Sequence, residues 1–301
     1  MNPFNEIIVK IVQLMPKKLV WKFSKKYIAG ETLQDAVSLV KNLNSIGILA
    51  TIDVLGEAVT NKSEAIESKV EASKVIDKII IENLNANLSI KPTQMGLSID
   101  SDFAYEQISE LVGKLVKVNN FLRLDMEDSP YTTLTIDLLK KLREKYNQDS
   151  VGIVIQSYLK RSLGDVKELN KINTNYRLCK GIYVEPSEIA YKEKDIIRNN
   201  YLTLLEEMIK SGNYVGIATH DEYLIDEAYK LIDKYKLGED KFEFQMLLGV
   251  REDLRDKILK DGYKIRIYVP YGVHWYKYSI RRLKENPAIA GYIFKNLFSF
   301  K

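Results

Sequence analysis

Residues 214–269 read YVGIATHDEYLIDEAYKLIDKYKLGEDKFEFQMLLGVREDLRDKILKDGYKIRIYV. Three short apolar runs, Tyr214–Thr219, Phe242–Leu247 and Lys264–Val269, alternate with two longer amphipathic runs, Glu222–Tyr235 and Arg251–Leu259. The short runs have the length and composition of strands, and the long ones repeat apolar residues at helical spacing. Strand, helix, strand, helix, strand is the signature of parallel strands joined by helical crossovers.

The rhythm extends back to about residue 46. Strand candidates are Ile48–Leu55, Asn87–Lys91, Phe121–Met126, Val151–Gln156 and Tyr176–Lys180. The first is followed by a helix pattern from Ser63, with Ile66, Val70, Ile76, Ile79 and Ile80 expected on its inner side. Further helices are expected near Phe103–Val118, Thr133–Tyr146, Asp165–Ile172, Pro186–Lys210 and His274–Lys284. Eight strand–helix units predict an α/β fold of the closed (β/α)8 type. A doubly wound open sheet is the alternative, but neither G-x-G-x-x-G nor G-x-x-x-x-G-K occurs.

Residues 46–301 are therefore expected to form the barrel, and residues 1–45 a helical extension packed on it. In that extension Phe4, Ile7, Ile8, Ile11, Val12 and Met15 form an apolar stripe ended by Pro16, and a second segment holds Leu19, Val20, Trp21 and Phe23. Thr32 with Asp35 has the spacing of a capping box, opening a helix with Val37, Val40 and Leu43 inward. Lys10, Lys17, Lys18, Lys22, Lys25 and Lys26 also suit peripheral contact with a membrane surface.

Composition narrows the classes. The 301 residues carry 45 basic and 41 acidic side chains, a net charge of +4 that is too small to suggest nucleic acid. The single cysteine, Cys179, allows no internal disulfide and fits a reducing cytoplasm. One cysteine and two histidines, His220 and His274, make a structural zinc site an unsuitable reading. No apolar run approaches the roughly 20 residues of a membrane span, and the N-terminus lacks the form of a secretory signal.

In a barrel the working residues sit at the C-terminal strand ends. There this chain places Lys91, the run Asp125, Met126 and Glu127, then Gln156, Arg177 with Lys180, the step Thr219–His220–Asp221, Gln245 and Leu247, and Tyr268. Counted with the helix after the last strand, the cations Lys91, Arg177, Lys180, Arg281 and Arg282 outnumber Asp125 and Glu285, so the expected ligand is anionic, a carboxylate or a phosphate. Gly181 leaves room for close backbone approach, and the helix after Asp221 offers free N–H groups to a pyrophosphate. Local explanations compete: Asp125 as a turn cap or partner of Arg177, Gln156 as an interior group satisfied by backbone, His220 as a core histidine, Tyr183 and Tyr268 as packing aromatics. Cys179 is expected to be inert, and His274 and Trp275 to pack or cap.

The last strand leads into YVPYGVHWYKYSIRRLKEN, residues 268–286. Tyr278, Arg281, Arg282 and Glu285 lie three and four apart and share one helix face. Adjacent guanidinium groups beside tyrosines suit a small carboxylate. At this block, and at LDME (124–127), RLCKGIY (177–183) and ATHD (218–221), the chain resembles the proline dehydrogenase family over roughly residues 46–296.

That resemblance implies FAD at the C-terminal strand ends and oxidation of L-proline to 1-pyrroline-5-carboxylate, the first step of proline catabolism, by hydride transfer from substrate C5 to flavin N5. It implies that Lys91, Arg281 and Arg282 bind the substrate carboxylate, that Leu247, Tyr268 and Tyr278 wall the ring, and that Asp125 and Arg177 form the charged pair beside flavin and substrate. Met126, Gln156, Arg177, Lys180, Gly181, Ile182, Thr219, His220 and Glu285 are then FAD contacts. It also implies electron delivery to a membrane quinone, a cytoplasmic site peripheral to the inner membrane face, and a separate 1-pyrroline-5-carboxylate dehydrogenase for the product. Ile182 stands where relatives often have Ala, Asp221 where they have Asn, and Leu248 where they have His or Tyr. The competing functions are a barrel acting on another small substrate, phosphorylated or cyclic as in 4-hydroxyproline, and a non-catalytic amino-acid-binding barrel.

Overall fold

A computed structural model describes residues 17–56, 58–147 and 149–285, apart from the side chains of residues 18, 19, 23 and 281–285. The Phe4–Met15 stripe, Pro16 and Lys10 lie outside the described residues, as do the side chains of Lys18, Leu19 and Phe23.

Eight strands close into a barrel in sequential order: β1 (Leu49–Val54), β2 (Ala86–Ile90), β3 (Leu122–Leu124), β4 (Val151–Gln156), β5 (Asn175–Cys179), β6 (Val215–Ala218), β7 (Phe242–Leu247) and β8 (Ile265–Tyr271). Every neighbouring pair is parallel, and β1 meets β8 in the register Thr51–Tyr268 and Asp53–Pro270. Among the described residues two helices precede the barrel, α1 (Lys17–Ser24) and α2 (Leu33–Ser45). The crossovers are α3 (Lys62–Ile81), α4 (Ser101–Val116), α5 (Ser129–Arg143), α6 (Ser162–Asn170), α7 (Lys194–Lys210), α8 (Glu222–Lys234) and α9 (Glu252–Lys260), and α10 (Trp275–Glu285) follows β8.

Local chemistry explains the boundaries. The Thr32 hydroxyl accepts from Asp35 N–H and the Asp35 carboxylate accepts from Thr32 N–H, a complete capping box, which typically stabilises a helix by about 1 kcal/mol. Asn61 caps α3 through Glu64 N–H. Val37, Val40 and Leu43 are buried, as their spacing requires.

Three expectations are corrected. On α3 the buried face is Ala65, Ala72, Val75, Ile76 and Ile79, while Ile66, Val70 and Ile80 are exposed. Alanines let this helix approach the sheet closely, and a reading weighted toward large residues rotates the stripe. The helix expected from Pro186 begins only at Lys194, because residues 186–193 pair back to the loop after β4 through a Leu159–Ala190 bridge. The third strand is three residues long; Asp125 still donates its N–H to the Ile90 carbonyl of β2 at 2.9 Å, and it and Met126 line the cavity beyond.

The core lies between barrel and helices, where Ile153, Leu178, Ile217, Phe244 and Ile267 meet the helices' inner faces. The barrel interior is polar. Thr51, Asp53, Asn87, Ser89, Arg123, Arg177, Glu243, Gln245 and Arg266 are all buried there, in place of the branched apolar layers that usually fill such a barrel. Buried charge requires partners, and a chain of bonds supplies them. Arg266 grips Glu243 through Nε (2.5 Å) and Nη2 (2.9 Å), Gln245 donates to Glu243 (2.6 Å), and Arg177 Nε donates to Gln245 Oε1 (2.6 Å).

Candidate active site

The chain of buried bonds ends at a cavity of about 990 Å³ at the C-terminal end of the barrel. Its wall includes the expected residues Lys91, Asp125, Met126, Gln156, Arg177, Lys180 and Gly181. It also includes Ile182, Thr219, His220, Leu247, Tyr268 and Tyr278. Segments as far apart in sequence as Tyr27 and Tyr278 thus share one concavity. The side chains of Arg281, Arg282 and Glu285 are outside the described residues, although their backbone continues α10.

Asp125 is the centre of the charged group. Its Oδ1 accepts from Arg177 Nη1 at 2.7 Å and from the Ser89 hydroxyl at 2.7 Å, and its Oδ2 accepts from the Tyr268 hydroxyl at 2.8 Å. Arg177 is further held by Gln245 and by the hydroxyls of Ser89 and Thr51, and its guanidinium lies 5.3 Å from the Tyr268 ring centroid. Burial and the Asp125 carboxylate push the Tyr268 phenol well above its ordinary range, so it stays a hydrogen-bond donor. The pairing of Asp125 with Arg177 replaces the turn-cap alternative.

Lys91 is held by a residue that the sequence reading passed over. Its ammonium donates to both oxygens of Asp53, at 2.9 and 3.0 Å. Burial acts to lower the Lys91 pKa, but the Asp53 and Asp125 carboxylates outweigh it and raise it. Burial raises the Asp53 carboxyl, and Lys91 offsets part of the rise. The signal was present: Asp53 is the polar residue at the end of the first strand run, ILATIDVL. Glu243 and Arg266 were also missed, because single charges inside FEFQML and KIRIYV look like residues on a solvated strand face.

The other wall is built for a larger group. Gln156 Nε2 donates to the Glu127 carbonyl at 2.9 Å, so the amide is fixed by backbone. His220 Nε2 accepts the Leu247 N–H at 2.9 Å, which leaves the proton of a neutral ring on Nδ1. Gly181 has φ +101°, and a Cβ there would run into the Tyr158 ring. Ile182 is partly exposed beside it. Asp221 caps the start of α8 in sequence position only: its carboxylate takes Arg198 at 2.6 and 2.9 Å and Lys180 at 3.2 Å. Burial alone would raise its pKa, but these two cations hold it down at about 2. Arg198, Lys194 and Arg251 add positive charge at the rim; on sequence they read as solvated helix positions.

Cys179 lines the cavity, and burial pushes its thiol up to about 11, so it is not an activated nucleophile. Among the described residues no group of His, Cys, Asp and Glu is arranged to hold a metal. His274 is exposed, whereas Trp275 is buried, packs against Trp21 at a tilt of 57° (4.7 Å between centroids) and donates to Glu31 at 2.7 Å. The segment after α1 also sends Tyr27 into the cavity wall. The arrangement can bind an anion, orient it against a wide wall of mixed polarity and keep a tyrosine hydroxyl and a guanidinium at its floor.

Comparison with known proteins gives the family. The family model described as "Proline dehydrogenase" matches residues 36–293. A proline dehydrogenase of Deinococcus radiodurans is 33% identical over 289 residues, covering 95% of this chain and 93% of its own. Proline dehydrogenase 2 of Bacillus subtilis is 36% identical over 272 residues, covering 90% and 89%. Among solved structures, proline utilization A from Bdellovibrio bacteriovorus, inactivated by N-propargylglycine, superposes with a TM-score of 0.83 at 24% identity. This chain is covered over 90% and spans 33% of that longer one, a likeness of fold. The chain belongs to the proline dehydrogenase family.

Proposed function

We propose that this chain oxidises L-proline to 1-pyrroline-5-carboxylate with bound FAD. The observation that carries the reading is the Asp125–Arg177–Tyr268 cluster at the floor of a cationic cavity, in a chain of this family. The residues fit the cofactor. Gly181 is held open by its φ and by Tyr158, no side-chain cap covers the first-turn N–H groups of α8, and Lys180, Arg198, Lys194 and Arg251 bring positive charge to the rim. Met126, Gln156, Lys180, Gly181, Ile182, Thr219 and His220 would hold it. When bound, FAD accepts the hydrogen and electron pair lost by the substrate carbon.

The protein's part is orientation and electrostatics. Lys91 uses two of its three N–H donors on Asp53 and has one to give to a substrate carboxylate, beside Arg281 and Arg282. Leu247, Tyr268 and Tyr278 wall the ring and exclude water. Tyr268 stands where a ring hydroxyl would need space, which favours proline over 4-hydroxyproline. Arg177 supplies a fixed positive charge where electrons arrive, and Asp125 fixes its aim.

The reading extends to a quinone as electron acceptor, reached from the membrane surface through the lysines of the N-terminal helices, and to a separate dehydrogenase that consumes the product. No helix among the described residues is long and apolar enough to cross a membrane. Because Trp21 faces Trp275, contact with anionic lipid would fall to Lys17, Lys25 and Lys26. Flotation on anionic vesicles, with and without residues 1–30, tests this; equal flotation removes the role.

The decisive experiment is a visible spectrum of the purified protein before and after anaerobic addition of L-proline. A flavin band that bleaches supports the assignment. A flavin band that survives saturating L-proline removes proline as substrate, and proline binding without a flavin band favours a binding barrel.

A further inference from the structure

We propose that Arg123, at the closed end of the barrel and out of reach of any ligand, supplies the surplus positive charge that makes the cavity select a carboxylate. The inference rests on the reading of the cavity as a carboxylate site. It concerns a residue that no strand-end argument singles out.

Seven charged side chains described above occupy the barrel interior. The cations are Lys91, Arg123, Arg177 and Arg266, and the anions are Asp53, Asp125 and Glu243. Three ion pairs form: Lys91 with Asp53 at 2.9 Å, Arg177 with Asp125 at 2.7 Å, and Arg266 with Glu243 at 2.5 Å. Arg123 is left over. Among the described residues it has no carboxylate within ion-pair distance. Its Nη1 donates to the carbonyls of Ile153 (3.1 Å) and Asn175 (2.7 Å), its Nη2 to the Asn175 side-chain oxygen, and its Nε has no partner.

Arg123 is also placed deliberately. It is 0% exposed, and it crosses β4 at Gly152, where any Cβ would collide with its guanidinium. The Phe121 ring covers it at 5.3 Å, covers Arg266 at 5.7 Å, and closes that end of the barrel. Burial and the charge of Arg177 push its pKa down, but only to about 9, so it is charged at neutral pH. Desolvation of a guanidinium with only neutral partners is costly, and a bound anion at the other end of the barrel recovers part of that cost across a low-dielectric interior. Substrate binding then completes the charge balance of the interior.

The discriminating variant is Asn175→Asp. It keeps the Arg123 hydrogen-bond geometry, changes no volume and gives Arg123 the carboxylate that it lacks. Calorimetry with cyclopentanecarboxylate and its neutral analogue cyclopentanecarboxamide reads the effect on the purified full chain. Asn175→Asp should weaken the acid on the order of tenfold, which is what one unit charge gives across roughly 10 Å at an effective dielectric of about 20. It should leave the amide unchanged. Arg123→Met should do the same, and Arg123→Lys should bind the acid like the wild type. Equal loss of acid and amide would mark Arg123 as merely structural and overturn the proposal. So would an Asn175→Asp protein that keeps the wild-type preference for the acid, or a wild type with no such preference. A colourless wild type whose acid preference vanishes in Asn175→Asp would instead sink the flavoenzyme reading and leave this one standing.

Discussion

Arg177 Nη1 lies 2.7 Å from Asp125 Oδ1, with the Arg177 side chain buried and that of Asp125 mostly so. The pair joins β5 to the end of β3 across the barrel, so it braces the interior as well as charging it. Removing one member strands the other. Asp125→Ala should destabilise the protein by about 3–5 kcal/mol, and the double variant with Arg177→Met should recover part of the loss. Urea unfolding of the single and double variants checks this; strictly additive effects would count against a coupled pair.

Tyr268 donates to the other oxygen of Asp125. Tyr268→Phe removes that hydrogen bond and little volume. A bond to a charged acceptor is worth roughly 1.5–3 kcal/mol, so kcat/KM for L-proline should fall on the order of tenfold to a hundredfold. Flavin content should not change. Steady-state kinetics with flavin-normalised enzyme measures both.

Gly181 combines φ +101° with the Tyr158 ring at its back. Gly181→Ala should cost at least about 1–3 kcal/mol from backbone strain, with added displacement of Tyr158. Because Gly181 lines the cavity, the purified variant should carry less flavin, read from the ratio of visible to ultraviolet absorbance. Full flavin content at wild-type stability would refute the role given to this glycine.

Asp221 has its pKa lowered from 3.8 to about 2 by Arg198 and Lys180. A depressed carboxylate contributes stability that is present above the unfolded value and lost as pH falls toward the folded value. The stability difference between wild type and Asp221→Asn should therefore be constant near neutrality and shrink between about pH 4 and pH 2. Unfolding midpoints measured across that range test the sign. A difference that widens as pH falls excludes the ion-pair explanation.

Arg281 carries the proposed hold on the substrate carboxylate. Arg281→Ala should weaken transition-state binding by about 2–5 kcal/mol, seen mainly as a raised KM for L-proline at unchanged flavin content. Unaltered KM in a fully loaded holoenzyme would reassign the carboxylate to Lys91 and Arg282.

Much of the fold could be read from periodicity. Val151–Gln156 and Phe242–Leu247 are strands over the residues their apolar runs marked, and the Thr32–Asp35 spacing opens α2. Errors arose where local pattern competes with packing. On α3 the small residues Ala65 and Ala72 are buried in place of Ile66 and Val70, because close helix–sheet approach rewards small side chains. Part of the site was legible as polar residues at strand ends, and Lys91, Asp125, Gln156 and His220 do line one cavity. Asp53 and Arg266 were not legible as site residues, nor Glu243 and Arg123 as buried interior charges. A charged residue alternating with apolar ones in a strand has the same pattern whether its face meets water or a closed interior.

The chain by itself determined eight alternating units, their order and the chemistry of each strand's two faces, because side-chain period and backbone preference are local properties. Only closure of β8 onto β1 decided that the polar faces point inward, since that depends on register between residues more than 200 positions apart, as in Thr51 with Tyr268. Once closed, the barrel takes its charges out of water, and each must find a partner or await a ligand. That obligation, set by tertiary structure, turned scattered Asp, Glu, Lys and Arg residues into an interior of ion pairs, with Arg123 outside any such pair among the described residues.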